Sequence, residues 1–358
     1  MKQILFCIFL SVTGVVFSQN KSELAESNVK KAVKLIDDGF PDEAIALLQQ
    51  AKRLDKDNYI YDYEIGYAYF LKEEYKSSLI FYEKAVKYKN SNDQCFQMLG
   101  NLLDISGKPE EALKTYDKGL KKFPKSGRLY LEKGNVFWNQ QKYLEAIRFY
   151  EDGIAAEPRF PSNYYRATLI YCNSAEPVWG MIYGEIFMNL EKNSKRTAEI
   201  SKMLYDTYKN QIQILDDTVK VRFSKMNKVI SNVFEDSITD QIPFGIGVYE
   251  PILLISIGKV TAININTLDS IRSNFVNNYY QSDFSKVNRN VLFEYQKKIM
   301  ASGHFEAYNH WVLMKGDEEL FKQWENKNQE KWQSFISWFS ANPIPVDERN
   351  YFHRIQYN

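Results

Sequence analysis

Residues 93–126 read DQCFQMLGNLLDISGKPEEALKTYDKGLKKFPKS, and the next block of equal length, residues 127–160, reads GRLYLEKGNVFWNQQKYLEAIRFYEDGIAAEPRF. Laid one above the other, they place glycine at the eighth position (Gly100, Gly134), alanine at the twentieth (Ala112, Ala146) and tyrosine at the twenty-fourth (Tyr116, Tyr150). Proline falls at the thirty-second (Pro124, Pro158), where a helix must stop before another begins. The period of 34 continues outward through blocks starting near residues 25, 59 and 161. Their eighth positions are Ala32, Gly66 and Thr168, and their twentieth positions Ala44, Ser78 and Gly180. The eleventh position stays large: Leu35, Tyr69, Leu103, Phe137 and Tyr171. At the twenty-fourth, Leu48 and Tyr82 keep the rule and Gly184 breaks it. Small residues recur where two helices must approach, and large ones where the gap between them must be filled. Each block therefore reads as a helical hairpin, with turns marked by Phe40-Pro41-Asp42-Glu43 and Gly107-Lys108-Pro109-Glu110. A single hairpin cannot hide its apolar stripe, whereas stacked hairpins can.

The pattern resembles the tetratricopeptide repeat family, most specifically over residues 59–160 and well in the first block. The fifth block departs from it, with Glu176 and Pro177 in its turn and glycines at 180 and 184. The expected fold is all-α: a TPR-like α-solenoid of antiparallel helix pairs over residues 19–192, then a mostly helical domain over 193–358. The resemblance further implies a concave face supplied by the first helix of each pair. Mapped onto this chain, that face holds Ile60, Tyr63, Tyr67, Phe70 and Leu71, then Gln97, Asn101 and Asp104, then Leu131, Asn135, Trp138 and Asn139. Amides can bond the backbone of an extended peptide, and aromatic pockets can hold its side chains. One variant of the family grips a C-terminal carboxylate with a basic and amide set. The matching positions here are Gln97, Asn101, Glu132, Ser162 and Arg166, and Glu132 would repel a carboxylate, so that mode is rejected.

After Lys192 the period is lost. Ile200, Leu204, Tyr208 and Ile212 point to a helix over 196–216, and Val219, Val221 and Phe223 alternate as in a short strand. Residues 242–263 are the most apolar stretch beyond the N-terminus. Glu250, Pro251, Gly258 and Lys259 interrupt it, so a buried helix starting near Pro251 is expected rather than a membrane span. Amphipathic helices follow on Leu268, Ile271, Phe275 and Tyr279; on Val291, Tyr295 and Ile299; on Leu320, Phe321 and Trp324 behind a capping Asp317; and on Trp332, Phe335, Ile336 and Phe339.

The first 18 residues have the form of an export signal: basic Lys2, apolar Ile4 to Leu10, and small Ser18 before the expected cleavage. That implies a periplasmic or cell-surface protein, and a Gln at the mature end suits a Gram-negative bacterium. Lys plus Arg number 46 against 45 Asp plus Glu, a near neutrality that argues against nucleic acid as partner. Cys95 and Cys172, in different repeats, are expected as separate buried thiols. Candidate chemistry is sparse. His304 and His310 are six apart, too far round a helix for a shared zinc face, and Asp216-Asp217 is an ordinary acidic pair. No motif implies a metal or a cofactor, and an enzyme is not expected. The leading expectation is a scaffold or adaptor that binds a polypeptide in its groove. The alternative is a carbohydrate-binding accessory using exposed aromatics, for which Trp324, Trp332 or Trp338 would have to face solvent.

Overall fold

Proline sits in the first turn of four helices of the hairpins, at Pro41, Pro109, Pro161 and Pro177, where its missing N–H has no partner to lose and its fixed φ suits the start. These prolines fix the starts of four hairpin arms in the computed structural model of the chain, which describes residues 21–215, 218–225 and 243–357. The expected export signal lies outside the described residues, as do Gln19, Asp216 and Asp217. Between Val136 and Phe137 the chain divides into two compact units.

The first unit is built from antiparallel helix pairs: α1 (21–37) with α2 (Pro41–Leu54), α3 (Ile60–Leu71) with α4 (Tyr75–Ala85), and α5 (Asp93–Ile105) with α6 (Pro109–Lys122). Helix α7 (Gly127–Asn139) follows. The repeat positions do the packing that their size requires. Ala32, Gly66, Gly100, Ala44, Ser78 and Ala112 are all buried, and the gaps between the pairs are filled by Leu48, Tyr82 and Tyr116. Burying a large apolar side chain contributes about 2 kcal/mol, so the large residue at this position is a principal source of stability in each pair. Asp62 is wholly buried and bound to Lys52 at 2.6 Å and to the Tyr88 hydroxyl at 2.8 Å, tying α2 to the second pair.

Position fifteen of the repeat turns the chain. Gly39 and Gly107 have φ of +86° and +78° there, and Glu73 adopts +60° at the same place. Asn92, whose side chain accepts from the Cys95 amide at 3.2 Å, caps α5.

The second unit opens with the end of α7 and continues through α8 (Tyr143–Ala156), α9 (Pro161–Cys172), α10 (Pro177–Leu190) and α11 (Lys195–Gln211). A hairpin of β1 (Ile212–Leu215) and β2 (Thr218–Val221) interrupts the helices, with Ile212 opposite Val221 and Leu215 opposite Thr218. Then come α12 (Glu250–Ile257), α13 (Ile265–Gln281), α14 (Phe284–Val287), α15 (Val291–Ala301), α16 (Phe305–Leu313), α17 (Glu318–Lys327) and α18 (Gln329–Ala341). The fifth hairpin, α9 with α10, is present despite its glycines, and they explain its departure from the pattern. A β-carbon at Gly180 would stand 2.5 Å from Cys172 Sγ, and one at Gly184 would stand 2.9 Å from Thr168 and 3.0 Å from Leu204. Glycine therefore lets α10 sit between α9 and α11, and every residue of α10 except Leu190 is buried.

Three expectations for this part are corrected. The helix expected to run to residue 216 ends at Gln211, because Ile212 belongs to a β-strand. The apolar helix begins not at Pro251 but with a π-helical turn at Gly245–Tyr249, which Glu250 and Pro251 continue into α12. Leu254 and Ile255 are exposed on α12, and Ile336 on α18, so neither stripe is buried all round. The stripes of α13 and α15 are buried in full as the spacing requires, and Asp317 caps α17 by accepting from the Leu320 amide at 3.0 Å.

A buried ion pair joins α10 to α13. Arg272 donates to both Glu185 carboxylate oxygens at 2.9 and 2.7 Å, and Gln296 and Tyr308 donate to the same carboxylate at 2.6 and 2.9 Å. Arg272 also reaches Asn309 at 2.7 Å. The adjoining cavity is about 20 Å³, room for no more than roughly one water-sized molecule. The C-terminal segment is held too: Phe352 packs on Tyr183, and Arg354 donates to Glu151 at 3.1 and 3.2 Å. Among the described residues no helix is long and apolar enough to cross a membrane.

Candidate binding face of the repeats

In the first unit, the candidate residues fall into an aromatic set on α3 and a polar set on α5 and α7. Tyr63, Tyr67 and Phe70 are half-buried and pack on the core around Tyr82 and Phe96. The Tyr63 ring meets Tyr82 edge-on at 5.7 Å and Tyr59 at 6.4 Å. Burial, then the charge of Glu64, pushes the Tyr63 hydroxyl up to about 12. Leu71 and Ile105, at the thirteenth position of consecutive repeats, are 47% and 60% exposed.

The amides do not stand alone. Gln97 donates to Glu132 Oε1 at 2.6 Å and accepts from Arg128 at 3.1 Å, and Asn135 donates to Glu132 Oε2 at 2.9 Å. Asn101 accepts the Tyr116 hydroxyl at 2.6 Å. The structure thus gathers Gln97, Asn135, Arg128 and Glu132 into one network between α5 and α7, with Glu132 at its centre. Asp104 and Leu131 are half-buried on the same two helices.

Sequence reasoning passed over Glu64, which sits one residue from Tyr63. It is half-buried and carries no hydrogen bond or ion pair among the described residues. Burial, then the charge of Asp37, pushes its carboxyl up to about 7 from an ordinary 4.5. The signal available was a charged side chain next to Tyr63 on the helix to which the resemblance assigns the concave face.

In the second unit, Trp138 meets Tyr143 edge-on at 5.2 Å and lies under the Arg166 guanidinium at 5.1 Å, so it is half-buried; Asn139 is exposed. Ser162 accepts from Arg196 at 3.1 Å.

Residues 29–93 and 98–162 match the family model for the tetratricopeptide repeat. These segments are tetratricopeptide repeats. Among solved structures, the chain is similar to PilF of Pseudomonas aeruginosa, at 16% identity over 53% of this chain and 86% of that one, with a TM-score of 0.45. It is similar to YrrB, a TPR protein with an unusual peptide-binding site, at 20% identity over 51% and 94%, TM-score 0.35. PilW, a type IV pilus biogenesis factor, matches at 16% identity over 52% and 85%, TM-score 0.42. Comparison with curated proteins finds no match.

The residues weighed for other chemistry have structural occupations. His310 is buried, bonded through its ring nitrogens to the Glu306 carbonyl and Asn266, and stacked on Trp324 at 4.1 Å. His304 lies against Trp338 at 5.4 Å. Among the described residues no group of three or more His, Cys, Asp or Glu is placed to hold a metal ion. Cys95 and Cys172 are free thiols, the first buried and the second half-buried, and burial pushes them up to about 11 and about 12.

The three tryptophans on which a carbohydrate site depends are not exposed. Trp324 is buried and donates its N–H to Glu306 at 2.8 Å, and Trp332 and Trp338 are half-buried against Phe321 and Tyr295. The discriminating condition for sugar stacking is therefore not met.

Proposed function

We propose that this chain is an exported, non-enzymatic scaffold that holds a partner polypeptide against the first helices of its repeats. The tetratricopeptide repeat is a protein-interaction fold, and the observation that carries the reading to a particular face is the exposure of Leu71 and Ile105 on α3 and α5. Apolar side chains left about half in solvent at one register position gain only part of their possible burial within the first unit, whereas a bound chain would cover the rest. Tyr63, Tyr67 and Phe70, on the same helix as Leu71, offer apolar area, and Gln97, Asn101, Asp104 and Asn135 are polar groups on α5 and α7 that a peptide backbone would engage by exchanging with their present partners. Export places the partner in the periplasm or at the cell surface, a reading supported by the form of residues 1–18.

Affinity capture from envelope extract tests this. Leu71→Arg and Ile105→Arg should each remove captured polypeptides that the parent chain retains, with unchanged circular dichroism. Ile80→Arg, at an exposed apolar position on the second helix α4, should leave capture intact. Equal capture by all three variants would rule this face out.

A further inference from the structure

The second repeat contains a polar arrangement that its neighbour satisfies and it does not. Tyr116 lies across Gly100 and donates its hydroxyl to Asn101. Tyr82 holds the equivalent place across Gly66, with Tyr67 where Asn101 would be. Its ring is wholly buried, and its hydroxyl has no hydrogen-bond partner among the described residues. The Tyr82 ring lies on Gly66 and meets the ring of Tyr63 at 5.7 Å, both on the helix that carries Glu64, and burial, then the neighbouring Tyr63 and Glu64, holds its hydroxyl above the ordinary value. Glu64 has no partner of its own among the described residues, and the charge acting on it is that of exposed Asp37 on α1. An unpaired buried hydroxyl and a half-buried carboxylate are each costly to leave unmatched.

We propose that Glu64, the Tyr82 hydroxyl and the rings of Tyr63 and Tyr67 form a subsite for the basic end of a lysine or arginine side chain on the bound polypeptide. The inference rests on the groove reading above and adds the chemistry of its occupant. Glu64 accepts charge-assisted hydrogen bonds from the cation, and the Tyr82 oxygen accepts a further N–H. The two tyrosine rings face the cation with their negative π surfaces. Asp37 adds long-range attraction and disfavours an acidic occupant. The carboxyl that burial and Asp37 hold near 7 recovers its negative form when a cation arrives.

Random peptides displayed on phage, selected against the full chain, supply the probes. The best binder is then synthesised with its basic residue intact or replaced by norleucine, and both are titrated by fluorescence anisotropy against the parent, Glu64→Gln and Tyr82→Phe chains. The expected result is a shared lysine or arginine among selected peptides, and a loss of about tenfold on norleucine replacement with the parent, falling to within about twofold with Glu64→Gln. Tyr82→Phe should give an intermediate loss. Peptides that bind without a shared basic residue, or an equal norleucine effect on parent and Glu64→Gln, would overturn the subsite while leaving the groove in place. Failure to select any peptide would overturn both.

Discussion

Gly100 lies so close under the ring of Tyr116 that a β-carbon there would stand 2.1 Å from Tyr116 Cε1, whereas at Gly66 the same construction meets Tyr82 at 3.1 Å. The two glycines occupy one repeat position but differ in the room available. Gly100→Ala forces the tyrosine off its rotamer and should cost about 3 kcal/mol, the upper range for overpacking. Gly66→Ala should cost less than about 1 kcal/mol, because a ring displaced by a few tenths of an ångström relieves the contact. Urea denaturation of the two variants separates them, and equal losses would contradict this packing.

At position fifteen, two hairpins use glycine and two force a side chain into the left-handed region: Glu73 at +60° and Gln141 at +59°. A β-carbon there costs roughly 1 kcal/mol. Glu73→Gly should therefore raise the melting temperature or leave it unchanged, while Gly39→Ala and Gly107→Ala should lower it. A glycine that destabilised position 73 would show that the unfolded chain's entropy outweighs the strain.

Arg272 and Glu185 are each 4% exposed at the side chain and satisfy one another. Arg272→Met leaves the carboxylate buried without its cation and should cost about 3–5 kcal/mol. Adding Glu185→Leu to that variant should recover much of the loss. Chemical denaturation of the single and double variants reads this directly; additive losses would mean that the pair is not coupled.

Glu64 titrates near 7 in the fold against an ordinary 4.5, so the folded chain holds its proton more tightly than the unfolded chain does. The stability this confers is fully present below about pH 4.5 and is lost as pH rises through about 7. Asp37 on α1, Tyr59 just ahead of α3, Tyr63 on α3 and Tyr82 on α4 are the titratable groups that act on it among the described residues, and burial raises all three of these tyrosine hydroxyls above their ordinary values. Glu64→Gln should accordingly raise the melting temperature at about pH 8 and not at about pH 4. A gain independent of pH would place the effect elsewhere.

The repeat array could be read from the sequence because the same packing problem is solved at each period. Gly66 and Gly100, or Tyr82 and Tyr116, announce one another by spacing, and turns at Pro41 and Pro109 mark helix starts. Non-repeating contacts left no such trace. Ile212 continued the spacing of four set by Leu204 and Tyr208, and its pairing with Val221 depends on a turn, not on periodicity. The Glu185–Arg272 pair joins residues 87 apart with no recurring partner to reveal it. For the candidate face, residue types were readable but their mutual bonds were not: Gln97 and Asn135 converge on Glu132, a residue that entered the sequence argument only as a source of repulsion.

Site-specific photo-crosslinking tests the central claim most directly. A benzophenone side chain placed at Leu71, Ile105 or Ile80 of the full chain is irradiated with a selected peptide, and the adducts are mapped by mass spectrometry. The groove reading requires adducts at 71 and 105 and none at 80. Adducts confined to 80, or equal labelling at all three positions, would contradict it.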